Sequence, residues 1–153
     1  MKKLLIWLLA LVVTGFILYY FAPLSLLNSI DSRGKFIRID TRFATKAYVK
    51  NHFGKTVDWV DAAVMDKKDV ETLKSILAGY AIEDGTACMF DSDVSVTLTN
   101  GQKSITFCPD FLDGEPVIWI DDTYKYRHLS VYNNQKLYRI LNKYGMGIPF
   151  TKE

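Results

Sequence analysis

The chain has 153 residues, 49% of them apolar and 24% charged, so it holds one domain plus any N-terminal targeting piece and is too apolar for a disordered tail. Two cysteines are too few for a disulfide-built mini-protein or a four-thiolate zinc site. The net charge of +2 is supplied by Lys2 and Lys3; the balanced remainder lacks the cation excess that nucleic-acid binding requires.

Leu4 to Ala22 runs without a charge behind Lys2 and Lys3. As a helix it is ~28 Å long, close to the ~30 Å hydrocarbon core of a bilayer. Tyr19, Tyr20 and Phe21 stand at its far end, where interfacial aromatics belong. The run is longer than the apolar stretch of a cleaved signal peptide, and Pro23 follows its last small residue, Ala22. Residues 1–23 therefore read as an uncleaved, single-pass signal anchor, in contact with the membrane through residues 4–22. Lys2 and Lys3 favour a cytoplasmic N-terminus, placing the rest of the chain outside the cytoplasm at the cell membrane. Arg33, Lys35, Arg38 and Arg42 vote the other way from a greater distance.

Residues 24–34 read as a juxtamembrane linker and 35–153 as a single extracytoplasmic domain. Phe36 to Ile39 begins the first strand candidate. Residues 44–56 suit a helical turn and a strand equally, and another strand starts at Val57 and runs towards Val64. Asp66 can cap a helix, with Asp69 placed to close a capping box. Val70, Leu73, Ile76 and Leu77 supply its buried stripe, and Gly79 stands where a helix end needs positive φ.

Val94 to Thr99 alternates, Asn100-Gly101 is a favoured two-residue turn, and Ser104 to Cys108 returns. That turn pairs Val94 with Phe107 and Val96 with Ile105. It leaves Ser95, Thr97, Thr99, Ser104 and Thr106 on the opposite face. Pro109 to Pro116 reads as an acidic loop. Val117 to Ile120 is apolar on both faces, as a central strand is. Tyr124 to Leu129 is a further strand, and a second helix runs from about Asn133 to Gly145 with Leu137, Ile140, Leu141 and Tyr144 inward. Strands and helices segregate along the chain, so the fold class is α+β: an N-terminal transmembrane helix, then an antiparallel sheet with two helices packed on one face.

Chemistry-bearing residues are sparse. Cys88 and Cys108 are expected to form a disulfide in an oxidising compartment, but only if the chain is interrupted near Asp91–Asp93, since Cα atoms must approach to ~4.4–6.8 Å. His52 and His128 have no metal-ligand spacing, so no metal is expected. No Gly-x-Ser-x-Gly, Cys-x-x-Cys or glycine-rich phosphate loop occurs, and no cofactor is expected. Residues 83–122 carry nine carboxylates against Lys103 alone, and residues 33–55 carry seven cations against Asp40. The acids fall largely at turns, where Asp is favoured for backbone reasons. Asp110, Asp113 and Glu115, with Tyr124, Tyr126 and His128, mark the expected binding surface, tyrosine offering contact area at low entropy cost. The expected function is a membrane-anchored, extracytoplasmic, non-catalytic binding module for a protein partner, with an inhibitor or immunity-type protein as one concrete form. The alternative is a small extracytoplasmic enzyme or redox protein using Cys88, Cys108 or His128.

Overall fold

The computed structural model describes residues 2–22, 35–52, 59–83, 94–112, 114–120 and 125–146. Helix α1 (Lys2–Phe21) has no polar face, and its side chains from Leu4 to Tyr19 are exposed. It is long and apolar enough to cross a membrane.

The remaining described residues form one eight-stranded antiparallel sheet carrying two helices. The strands are β1 (Lys35–Ile39), β2 (Lys46–His52), β3 (Trp59–Ala63), β4 (Gly79–Glu83), β5 (Val94–Thr99), β6 (Ser104–Leu112), β7 (Glu115–Ile120) and β8 (Lys125–His128), in the spatial order β1-β4-β8-β7-β6-β5-β2-β3. Helix α2 (Lys67–Leu77) carries the chain from edge strand β3 to β4, and α3 (Val131–Lys143) follows β8. The α+β fold with an N-terminal apolar helix is thus as expected.

Alternation explains the core. Ala47 and Val49 of β2, Val94, Val96 and Leu98 of β5, Phe107 of β6 and Ile118 and Ile120 of β7 share one sheet face through the ladder register. Against them pack Val70, Leu73 and Leu77 from α2 and Leu137, Ile140 and Leu141 from α3. Both helices present a single apolar stripe, as surface helices on a sheet do. Truncating a fully buried leucine such as Leu137 to alanine costs about 2–5 kcal/mol.

The details correct several expectations. Val96 pairs with Phe107 and Leu98 with Ile105, two residues out of the expected register. The reason is the connection: Asn100 Oδ1 accepts from the backbone of both Gln102 and Lys103, and Asn100 N–H donates to the Lys103 carbonyl. This side-chain-closed turn holds four residues rather than two, with Gly101 at φ 90°. A shift of two keeps each side chain on its expected face. Pro109 to Pro116 is not a loop: β6 continues to Leu112 and β7 resumes at Glu115, with Gly114 at φ 82° in the turn. Gly79–Glu83 is a strand that the sequence did not announce. Helix α3 starts two residues early, because Ser130 caps it by accepting from Asn133 N–H at 3.2 Å. Asp66 caps α2 as expected, accepting from Lys68 N–H at 2.8 Å, but Asp69 turns away to α3.

Gly79 follows the α2 C-cap with φ 136° for two reasons. The turn requires it, and a Cβ there would meet the Arg127 guanidinium carbon at 2.8 Å. Arg127 crosses that gap and donates to the Ile76 carbonyl at 3.0 Å, closing an α2 terminal acceptor with a cation. Burial pushes its pKa below the ordinary arginine value.

Candidate functional site

The helix-free face carries a second apolar cluster of Ile82, Cys108, Val117, Trp119 and Tyr126. The register sets it: Cys108 pairs with Trp119, Trp119 with Tyr126, and Tyr126 with Ile82 across four adjacent strands. Trp119 is 4% and Tyr126 9% exposed, so this part of the face is covered. Towards β5 the same face turns polar, and the hydroxyls of Thr97 and Thr106 meet at 3.1 Å.

Four of the expected surface residues lie on this face. Asp110 accepts from the Trp119 indole N–H at 3.2 Å and from Phe111 N–H at 2.7 Å. Tyr126 stacks edge-on against His128. His128 pairs with Val117, and its Nδ1 is buried without a hydrogen-bond partner, with Glu115 Oε2 at 3.4 Å. Burial lowers the His128 pKa below the ordinary histidine value, and the Glu115 carboxylate opposes that shift. Asp110 and Tyr126 are thus committed to internal contacts and offer little area to a partner. Tyr124, Asp113 and Cys88 lie outside the described residues. No disulfide is seen among the described residues: Cys108 is buried in β6, where it pairs with Trp119, and the position of its expected partner is not described. Strand β7, with Val117 and Trp119, stands between Cys108 and His128, so the two are not assembled as a nucleophile and base. Among the described residues no group of His, Cys, Asp and Glu could hold a metal ion.

Helix α1 meets the domain beside the β6–β7 turn. Tyr20 and Phe21 of α1 meet the ring of Tyr132 at centroid distances of 5.9 and 5.0 Å, and Tyr20 Oη donates to Gln135 Oε1. Tyr19 and Ala22 also share a small cavity of about 150 Å³ with Glu115, Pro116 and Leu129. Helix α1 thus abuts the β6–β7 turn and the first turn of α3.

A second concavity lies at the other end. A groove of about 710 Å³ opens between the start of β2, the chain leaving β3 and the first turns of α2. Ala44, Ala47, Ala63, Val64 and Val70 give it a small-residue, apolar floor. Arg42, Lys46, Lys67 and Lys74 line its rim, with Glu71 as the single acid. Arg42 is held by a bidentate pair to Asp40, at 2.7 Å for the shorter contact, and Lys74 reaches Glu71 at 2.8 Å. The Arg42 guanidinium draws the Asp40 carboxyl well below the usual range. Lys46 and Lys67 are exposed, and Met65 beside them is 84% exposed.

The register places the groove relative to α1. Lys46 pairs with Thr99 and Thr99 with Ser104, the first residue of β6, whereas Leu112 at the other end pairs with Glu115 beside α1. Strand β6 has nine residues, about 27 Å end to end at ~3.4 Å per step. The basic run at 33–55 signalled Arg42 and Lys46 but not their meeting with Lys67 and Lys74 of α2, because residues 44–56 have no decisive periodicity and the floor is made of small apolar residues. Comparison with protein-family models, with curated proteins and with solved structures finds no match.

Proposed function

We propose that this chain is a membrane-anchored, extracytoplasmic binding module that presents its groove to a protein partner and performs no catalysis of its own. The observation that carries the reading is the polarity of the domain. An exposed apolar helix is seated at one end of the sheet, and the open groove lies at the other, a strand length away. Such a layout displays a docking site away from the bilayer. An inhibitor or immunity-type protein acting at the membrane is one concrete form. The acidic surface expected to dock the partner gives way to the basic groove in this reading, because Asp110 is spent on Trp119 and Phe111.

The anchor stays in the mature protein, with Lys2 and Lys3 on the cytoplasmic side. Protease added to sealed cells should remove the domain and spare the N-terminal peptide.

Site-specific photo-crosslinking in the native membrane tests the docking site. A photoreactive residue at Thr45, in the groove, should give one discrete protein adduct, and the same residue at Arg139 on the exposed side of α3 should not. Identical adduct patterns from both positions, or none from Thr45, would refute the reading.

A further inference from the structure

We infer that the groove takes a carboxylate-rich polypeptide segment of the partner, with Lys46 and Lys67 as its principal anion contacts. This deepens the proposed function and rests on it. The argument begins with charge. Four cations line the groove against Glu71. Two of them are already held in place by acids of this chain, Arg42 by Asp40 and Lys74 by Glu71. Lys46 and Lys67 make no ion pair with any described residue, and both are exposed, so their charge is available to a visitor. Complementary charge fixes register and excludes wrong partners more than it supplies raw affinity.

The floor decides what kind of anion fits. The exposed Ala63, with the buried Ala44, Ala47, Val64 and Val70 beneath the groove, makes an apolar floor rather than the donor nest that cradles a phosphate. A peptide with small apolar residues between its carboxylates can bury the former on this floor and present the latter to the rim. The Thr45 and Tyr48 side chains in the same groove add polar groups that can fix its orientation. Met65, exposed at the mouth, is a flexible and polarisable side chain that adapts to what it covers. The volume of about 710 Å³ is in the range of sites that enclose a drug-sized ligand, enough for a short peptide stretch. Headgroups of the bilayer that α1 enters are excluded by distance, since the groove lies at the far end of β6.

The test uses the full chain in lipid nanodiscs and a labelled short peptide of alternating glutamate and alanine, read by fluorescence anisotropy. Saturable binding that weakens with salt is expected, with none for the lysine-alanine counterpart. The Lys46→Glu/Lys67→Glu variant should bind about tenfold more weakly or worse. Lys68→Glu, on the same helix turn but outside the groove, should bind as the parent does. Unchanged melting temperatures show that both variants are folded. Equal binding by the double variant would overturn the inference, and so would a short oligothymidylate competing as well as the peptide, because the site would then read charge alone. If Thr45 crosslinks a partner while the acidic peptide fails to bind, this inference falls and the proposed function stands. If neither occurs, both fall.

Discussion

Tyr144 donates its hydroxyl proton to Asp69 Oδ2 at 3.0 Å, and the tyrosine Oη itself accepts the Asp66 backbone N–H at 3.2 Å. The residue just past α3 thus completes the cap of α2, doing what Asp69 would do in a local capping box. Lys143 joins in, with Nζ at 2.6 Å from Asp69 and 3.1 Å from Asp66. Those two carboxylates hold the lysine well above its usual range. The Lys68 backbone N–H, and then Lys143, hold the Asp66 carboxyl below its own. The two helices that cover the sheet are therefore tied end to end, next to the groove that α2 helps to line.

Tyr144→Phe removes both hydrogen bonds and leaves the ring. It should cost about 1–2 kcal/mol and lower the melting temperature by several degrees. If the trans cap is real, adding Asp69→Asn to Tyr144→Phe should cost less than the sum of the single changes. Additive losses would show that the two side chains act independently.

Gly79→Ala should be the most damaging small substitution outside the core. The new Cβ meets the Arg127 guanidinium, and φ 136° is strained for any L side chain. A loss of about 1–3 kcal/mol is expected in denaturant melts. Arg127→Ala removes the steric part, so part of the Gly79→Ala penalty should vanish in that background. Full persistence would assign it to the backbone alone.

Gly101→Val tests the four-residue turn. Nothing lies within 4 Å of a Cβ at this position, so the cost comes only from φ 90°, about 1–2 kcal/mol. Gly101→Asn, which tolerates that region, should restore most of it. An unchanged melting temperature for the valine variant would contradict the turn geometry.

His128 should make stability depend on pH just below neutrality. Its pKa in the fold is lowered from 6.5, chiefly by burial, so the unfolded chain takes up the proton first. Stability is complete above 6.5 and falls as pH drops through that value, until the folded state also protonates. His128→Gln should flatten this window. Asp40 and Asp66 have depressed values, so their contribution persists above the ordinary aspartate value of 3.8 and is lost only below it. Melting curves across the range separate the two, and a parent profile that is flat around 6 would discount the His128 reading.

The long apolar N-terminal helix, the α+β class, both sheet-packed helices and the faces of the β5–β6 hairpin were legible in the sequence, because each rests on a local signal. Leu4 to Ala22 has no charge, Val70, Leu73 and Leu77 recur at helical spacing, and Val94 to Thr99 alternates. Only the tertiary structure decided the rest. The hairpin register turned on which backbone groups the Asn100 side chain satisfies, and the cap of α2 on a tyrosine 75 positions downstream of Asp69. The order β1-β4-β8-β7-β6-β5-β2-β3 brings β2 beside β5 and so sends Lys46 to the far end from α1. That pairing is non-local: its free energy comes from sheet contacts between segments far apart in the chain, and no spacing within either segment records it. The groove follows from the same cause, since its alanine floor and basic rim meet only once β2, the chain after β3 and α2 are packed together.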